Sequence, residues 1–280
     1  MPIAVDNLQD FAASGLDNSV LQDRGLAAES QSPVNSFSTP RFEVIGGGDV
    51  TQARLAQCAT FFSEHYGVWD QNVAAPLRPK GRVKMTPAKL RKECFSNPDD
   101  TLLIMAFKDD QLVGQAFVTK WKYRNEIVVW VTQLVVHSQY RRRHIATGML
   151  GSIRSTEWFR PVTIIGIAST HPAACNTLAN LARFRMAQVD LSFIRQNAAA
   201  ILECATPRYL RGAKLHGELF EEACTDGAVS LADTNFPVDH AEPHQVLETY
   251  VSANKWPLGS LRDGHEFVLV ISLPEEECRL

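Results

Sequence analysis

The stretch Ile127–Leu150, "IVVWVTQLVVHSQYRRRHIATGML", runs from a nearly continuous apolar segment through a basic turn into residues at helical spacing. A segment such as Ile127–Val136, apolar on both faces, is a strand in the middle of a covered sheet. The turn Tyr140-Arg141-Arg142-Arg143-His144 ends it, and Ile145, Met149 and Ile153 mark the helix behind. A buried strand that ends in a tight basic turn and opens a helix aims free backbone N–H groups, and the positive end of the helix dipole, at one point. Such a point binds phosphate. Arg141 to Arg143 also admit two other readings, a solvated basic turn and a contact to nucleic acid.

Working outward, Val162–Ala168 is a second all-apolar strand and Pro172 to about Phe184 a second helix, so the centre reads as a β-turn-α-β-α unit with its two strands parallel. Upstream, Thr101–Phe107, a turn at Asp109-Asp110 and Leu112–Tyr123 form an antiparallel hairpin. Before it, Arg41–Ile45 is a strand ending in three glycines. Asp49 then caps a helix carrying Leu55, Cys58, Ala59, Phe62 and Tyr66, and Gly67 stops it. Thr86-Pro87 opens another helix, to about Phe95. Downstream, residues 187–254 read as a helical insertion, with helices at Gln196–Cys204 and Pro243–Ser252. A turn at Asp263-Gly264 leads to a last apolar strand, Glu266–Leu273. From Asn18 to Pro40 the chain is polar and aperiodic, so residues 1–40 are expected to be a mobile leader. The organisation is thus leader (1–40), core (41–186), insertion (187–254) and closing hairpin (255–280).

Composition narrows the function classes. In 280 residues, 45% hydrophobic and 21% charged content excludes disorder throughout. A net charge of -3 provides no positive field for general nucleic-acid binding, and no nucleic-acid partner is expected. The six cysteines form no CxxC pair and read as reduced thiols, not as a metal site or a disulfide framework. No segment is apolar enough over roughly 20 residues to span a bilayer. The expectation is a cytoplasmic protein, monomer or homodimer, with no membrane partner.

The residues Leu134, Val136, Tyr140, Arg141, Ile145 and Ala146 resemble the signature of the GCN5-related N-acetyltransferases (GNAT), a strand "LxVxPxYR" followed by Arg/Gln-x-x-Gly-x-Gly/Ala. Ser138 stands at the proline, and Arg142 and His144 stand at positions that many members fill with glycine. The order β-α-α-β-β-β-α-β-α-β and the segment "DDQLVGQAFV" are similar to that family as well, and "WPLG…DGHEF" resembles fungal members of unassigned substrate. The resemblance implies an α/β fold with a GNAT-like mixed, mostly antiparallel central sheet, a splayed parallel strand pair and flanking helices. It implies acetyl-CoA as co-substrate in the wedge between strands 127–136 and 162–168. Pantetheine would pair with backbone at Leu134, Val135 and Val136. The pyrophosphate would rest on Arg141, Arg142, Arg143, His144, Ile145, Ala146 and Thr147, and Asn176 would bond the pantetheine. Either the turn demands left-handed dihedrals at Arg142 and His144, with strain of roughly 1 kcal/mol each, or both residues take ordinary negative φ. The second is the favoured expectation.

Acyl transfer to an amine needs a neutral nucleophile, a polarised thioester carbonyl and an exit for the thiolate. Deprotonating a lysine-like amine of pKa near 10.4 costs roughly 4.6 kcal/mol at pH 7. By resemblance the base would lie on the strand 127–136, where Glu126 is the candidate unless it is a surface carboxylate, and Gln133 would order a water. Backbone N–H near Val135 or Val136 would polarise the carbonyl. No tyrosine occurs from Gly151 to Arg208, where many members place the acid. His171 remains, as acid, as an aid to the base, or as a helix cap. The segment carrying Asp233, Asp239, His240, Glu242 and His244 reads as turn and cap chemistry, an acidic lip for a cationic acceptor, or a His240/His244 metal pair that Pro243 disfavours. A small-molecule amine is the expected acceptor; a peptide acceptor and a non-catalytic acyl-CoA-binding module are the alternatives.

Overall fold

The computed structural model of the protein describes residues 39–71, 81–95 and 97–274. All but its last two residues of the expected leader lies outside them. The elements are β1 (Arg41–Gly46), α1 (Gln52–His65), α2 (Pro87–Cys94), β2 (Thr101–Lys108), β3 (Gln111–Tyr123), β4 (Glu126–Val136), α3 (Ile145–Ile153), β5 (Ile164–Ser169), α4 (Pro172–Leu181), α5 (Leu191–Glu203), β6 (Lys214–His216), β7 (Leu231–Asp233), α6 (Ala241–Ser252) and β8 (His265–Ser272). Eight strands form one sheet in the order β1-β2-β3-β4-β5-β8-β7-β6, and among them β4 and β5 alone run parallel. This is the mixed, mostly antiparallel sheet that the resemblance implied. No helix among the described residues is long and apolar enough to cross a membrane.

Alternation along β2 shows how the sheet divides the interior. Leu102, Ile104 and Ala106 enter the core beneath α3, α4 and α5, whereas Leu103, Met105 and Phe107 enter the one beneath α1 and α2. With both faces covered, β4 has to be apolar throughout, as its sequence is. Trp121 and Trp130 belong to the first core, their rings 6.0 Å apart, and Gly166 makes room there, since a Cβ on it would lie 2.3 Å from the Trp130 ring.

Local signals hold unevenly. Thr86 caps α2 by accepting from Lys89 N at 3.1 Å, with Pro87 in the first turn. The cap of α1 is Thr51, not Asp49. Residues 187–254 are more than helices, because β6 and β7 extend the same sheet beyond β8. Three-residue strands of mixed polarity leave too little periodicity to be read.

The decisive irregularity lies in β4. Phe117 pairs with Gln133 and Val118 with Val131, which leaves Thr132 as an extra residue. On the other side the parallel ladder with β5 stops at Val131 opposite Ile167. A bulge bends its strand and ends local pairing, so β4 leaves β5 from Thr132 onward and a wedge opens toward the C-terminal ends of both strands.

Candidate active site

At the mouth of this wedge lies a cavity of about 270 Å³, bordered by the end of α1 (Glu64, His65, Tyr66), the turn after β4 (Ser138, Arg141), the end of β5 (Thr170, His171) and the start of α6 (Glu242). Leu134, Val135 and Val136 end β4 beyond the bulge. Their side chains are buried in the two cores, so what they can offer a ligand is backbone.

The turn after β4 is built for an anion by its backbone. Ile145, Ala146 and Thr147 are the first three residues of α3, and Gly148 N is the first to find an intrahelical carbonyl, that of His144 at 2.9 Å. Their amides carry the positive end of the helix. Arg142, Arg143 and His144 are exposed, with the Arg143 guanidinium 5.5 Å from the Tyr140 ring centre. These groups fit a pyrophosphate. Two expectations are corrected. Arg141 turns its guanidinium away from α3: it forks onto Glu242 at 2.6 and 2.8 Å and donates to His65 O at 3.1 Å. And the backbone is left-handed at both glycine-like positions, with φ 63° at Arg142 and 56° at His144. The favoured ordinary dihedrals are therefore wrong, because the turn must reverse the chain within two residues to present the amides. A left-handed non-glycine residue costs about 1–2 kcal/mol, more than the roughly 0.5–1 kcal/mol of backbone entropy that glycine adds. His144→Gly is accordingly expected to raise the free energy of unfolding by up to about 1 kcal/mol in a urea titration; an unchanged or lowered midpoint would show the turn to be unstrained.

The expected catalytic residues separate. Glu126 begins β4, opposite Tyr123 across the hairpin. The bulge residue Thr132 is six residues and about 20 Å of strand further on, so Glu126 cannot be the base: the wedge opens at the other end of β4. Gln133 is fully buried and its Oε1 accepts from Gln115 Nε2 at 2.7 Å, which commits it to the core on the α1 and α2 side. His171 is the N-cap of α4: its Nδ1 accepts from Ala173 N at 3.2 Å, which leaves the proton on Nε2, 3.9 Å from Glu242. Burial lowers its pKa, so it stays neutral. A neutral imidazole with its lone pair already engaged is no base. Asn176 sits half-buried on the second turn of α4.

Tyr66, Tyr209 and Glu266 interact electrostatically, and none of them has a role in the chemistry expected from the sequence. Glu266, in β8, lies just past the residue paired with the end of β5, where Phe267 faces Ser169. Its side chain is wholly buried, and neither carboxylate oxygen has a hydrogen-bond partner, Thr234 being the polar neighbour that partly offsets the burial. Desolvation therefore raises its pKa. The carboxylate in turn pushes up the phenols of Tyr66 and Tyr209, on which burial already acts. The Tyr209 hydroxyl donates to the carbonyl of Thr132, the bulge residue, at 3.3 Å. Glu242 contrasts with this carboxyl, since His171 and Arg141 hold it down to about 2.

Within the acidic segment, Asp239 and Glu242 border the cavity, while Asp233 accepts from Asn235 N in a turn. His240 precedes α6, its ring 5.9 Å from that of His244 and its Nδ1 3.7 Å from Asp263.

Residues 68–177 match the family model described as Acetyltransferase (GNAT) family. No curated protein matches the chain in sequence. Solved structures similar to it include an aminoglycoside acetyltransferase from an uncultured soil metagenomic sample (18% identity, 48% of this chain and 83% of that one, TM-score 0.32). Another is the diaminobutyrate acetyltransferase of Paenibacillus lautus with L-2,4-diaminobutyric acid and coenzyme A (17%, 52% and 75%, TM-score 0.31). A third is the NatC complex bound to Gag peptide and CoA (13%, 52% and 82%, TM-score 0.35). A bulged strand parting from a parallel neighbour and a helix opening behind it with free amides lie within the matched region, and residues 68–177 carry a domain of the GNAT acetyltransferase family, N-acetyltransferases with acetyl-CoA as co-substrate.

Proposed function

We propose that the protein transfers acetyl directly from acetyl-CoA to the primary amine of a small cationic molecule, with Glu266 as the base. The observation that carries this reading is the buried Glu266 carboxyl, whose charge acts on Tyr66, a residue that borders the cavity. A base works best with a pKa near the operating pH. Glu266 is raised toward that range, whereas Glu242, at about 2, is too weak a proton acceptor. Amides of Ile145, Ala146 and Thr147, with Arg142 and Arg143, hold the pyrophosphate. Acetyl-CoA supplies the activated acetyl thioester. Backbone N–H groups at Val135 or Val136 would face the thioester carbonyl, and Tyr209, whose hydroxyl donates to the Thr132 carbonyl in the free protein, would turn that proton toward the departing sulfur.

A small acceptor suits a cavity of about 270 Å³ that α6 closes on one side. A cationic one suits its charge, with carboxylates at Glu64, Asp239 and Glu242 against guanidiniums at Arg82 and Arg141. The test is incubation with acetyl-CoA and three acceptor sets: small diamines and polyamines, neutral monoamines, and peptides with free N-termini. Thiol release and one-acetyl mass gain are expected with the first set. Acetylation of peptides alone would overturn the small-molecule reading, and bound acetyl-CoA with no acetylated amine in any set would favour the non-catalytic module.

A further inference from the structure

Away from the wedge, at the outer edge of the sheet, we propose that His216, Cys224 and Asp226 form a zinc site that clips the 217–230 loop to the end of β6. One ligand atom from each of the three residues lies within 4.8 Å of the others. The Cys224 sulfur is 4.0 Å from His216 Nε2 and 3.0 Å from Asp226 Oδ1, and His216 Nε2 is 2.8 Å from Asp226 Oδ2. Thiolate, imidazole and carboxylate are the donor types that zinc takes in tetrahedral sites, with water filling an open fourth position.

The surroundings of His216 favour a ligand role. Its Nδ1 is 2.8 Å from Glu221, the arrangement in which a carboxylate orients a metal-bound histidine and leaves the Nε2 lone pair facing inward. His216 Nε2 and the Asp226 carboxylate then converge on one point, where a metal ion can replace the proton that a 2.8 Å hydrogen bond between them would hold. Arg262 supplies a cation here: its Nη1 stands 2.9 Å from His216 Nε2 and 2.8 Å from Asp226 Oδ2. The guanidinium is half-exposed and can swing out to solvent. Asp226 is further fixed by Ala228 N, which donates to Oδ1 at 3.0 Å. On metal binding the Cys224 thiol proton passes to solvent and the sulfur bonds the metal as thiolate. The ring of His265 lies 5.5 Å from that of His216, and Nδ1 of His265 bonds the Asp263 carbonyl at 2.9 Å, so its Nε2 can replace the water.

The test is a cobalt(II) titration of the metal-free full chain without oxygen. One equivalent is expected to produce a sulfur-to-cobalt charge-transfer band together with the visible bands of a tetrahedral ion, and zinc is expected to abolish both and to raise the melting temperature. Cys224→Ser and Asp226→Asn are each expected to weaken binding at least tenfold, the serine variant losing the charge-transfer band. Arg262→Gln is expected to tighten it, because a competing cation is gone. A titration without the band, or a band that survives Cys224→Ser, would overturn the proposal and leave Arg262 as the resident cation.

Discussion

Glu266→Gln is expected to lower turnover by about 10²-fold or more while making the fold more stable at neutral pH. The loss follows from the base role, since positioned acid and base groups contribute about 10²–10⁴, and an acceptor amine held at pH 7 must shed a proton at a cost of roughly 4.6 kcal/mol. The stability gain follows from linkage. Burial raises the folded-state pKa of Glu266 above its unfolded value, so the folded state favours the protonated carboxyl. The stability this group contributes is complete below the unfolded pKa, about 4.3, and is lost as pH rises through the raised folded value. Glutamine has no charge to bury and escapes that loss. Melting temperatures of the two proteins should therefore converge in acid and separate toward pH 8, with the variant higher, and the ascending limb of the wild-type pH–rate profile set by this group should vanish. A variant that is less stable at pH 8, or that turns over within a factor of a few of wild type, would assign the base elsewhere.

Tyr209→Phe is expected to cost roughly 10- to 10²-fold in kcat with acetyl-CoA affinity almost unchanged. The hydroxyl donates to the Thr132 carbonyl, at the bulge where β4 leaves β5. Its pKa is raised by burial and by the carboxylates and thiol nearby, so the proton is present at every working pH. A phenol raised above 10 does not hand its proton fully to a thiolate of pKa about 8.5. What it supplies is a hydrogen bond to developing negative charge, worth about 1.5–3 kcal/mol, and each 1.36 kcal/mol is tenfold in rate. An unchanged kcat would show that the thiolate leaves unaided. A large rise in KM for acetyl-CoA would make Tyr209 a binding residue.

Much of the core was legible because its chemistry is local. Both parallel strands are nearly continuous apolar runs, the prolines at 87 and 172 each stand one residue into a helix, and the basic turn follows a buried strand directly. Glu126 was expected as the base, although a strand that ends at the phosphate turn must begin at the opposite end of the sheet, which places Glu126 far from the wedge. Other features were hidden for a physical reason. Glu266 stands near the start of an apolar strand, a place usually wet, yet it is fully buried among residues from distant parts of the chain. Tyr209 lies one residue past the window in which a tyrosine was sought, in a stretch without periodicity. The left-handed backbone at Arg142 and His144 leaves no trace in side chains that tolerate it poorly, although the family's glycines at those two positions were the available signal.

Acetyl-CoA is expected in the wedge between β4 and β5, with its pyrophosphate on the amides opening α3. Calorimetric titration of wild type and Thr147→Asp with acetyl-CoA tests it most directly. Aspartate in the first turn suits the helix dipole and should keep or improve folding, yet it places negative charge against the phosphates. The account predicts saturable binding to wild type and binding at least tenfold weaker to the variant, with the difference shrinking as salt is raised. Equal affinities, or no binding by the folded wild type, would contradict it.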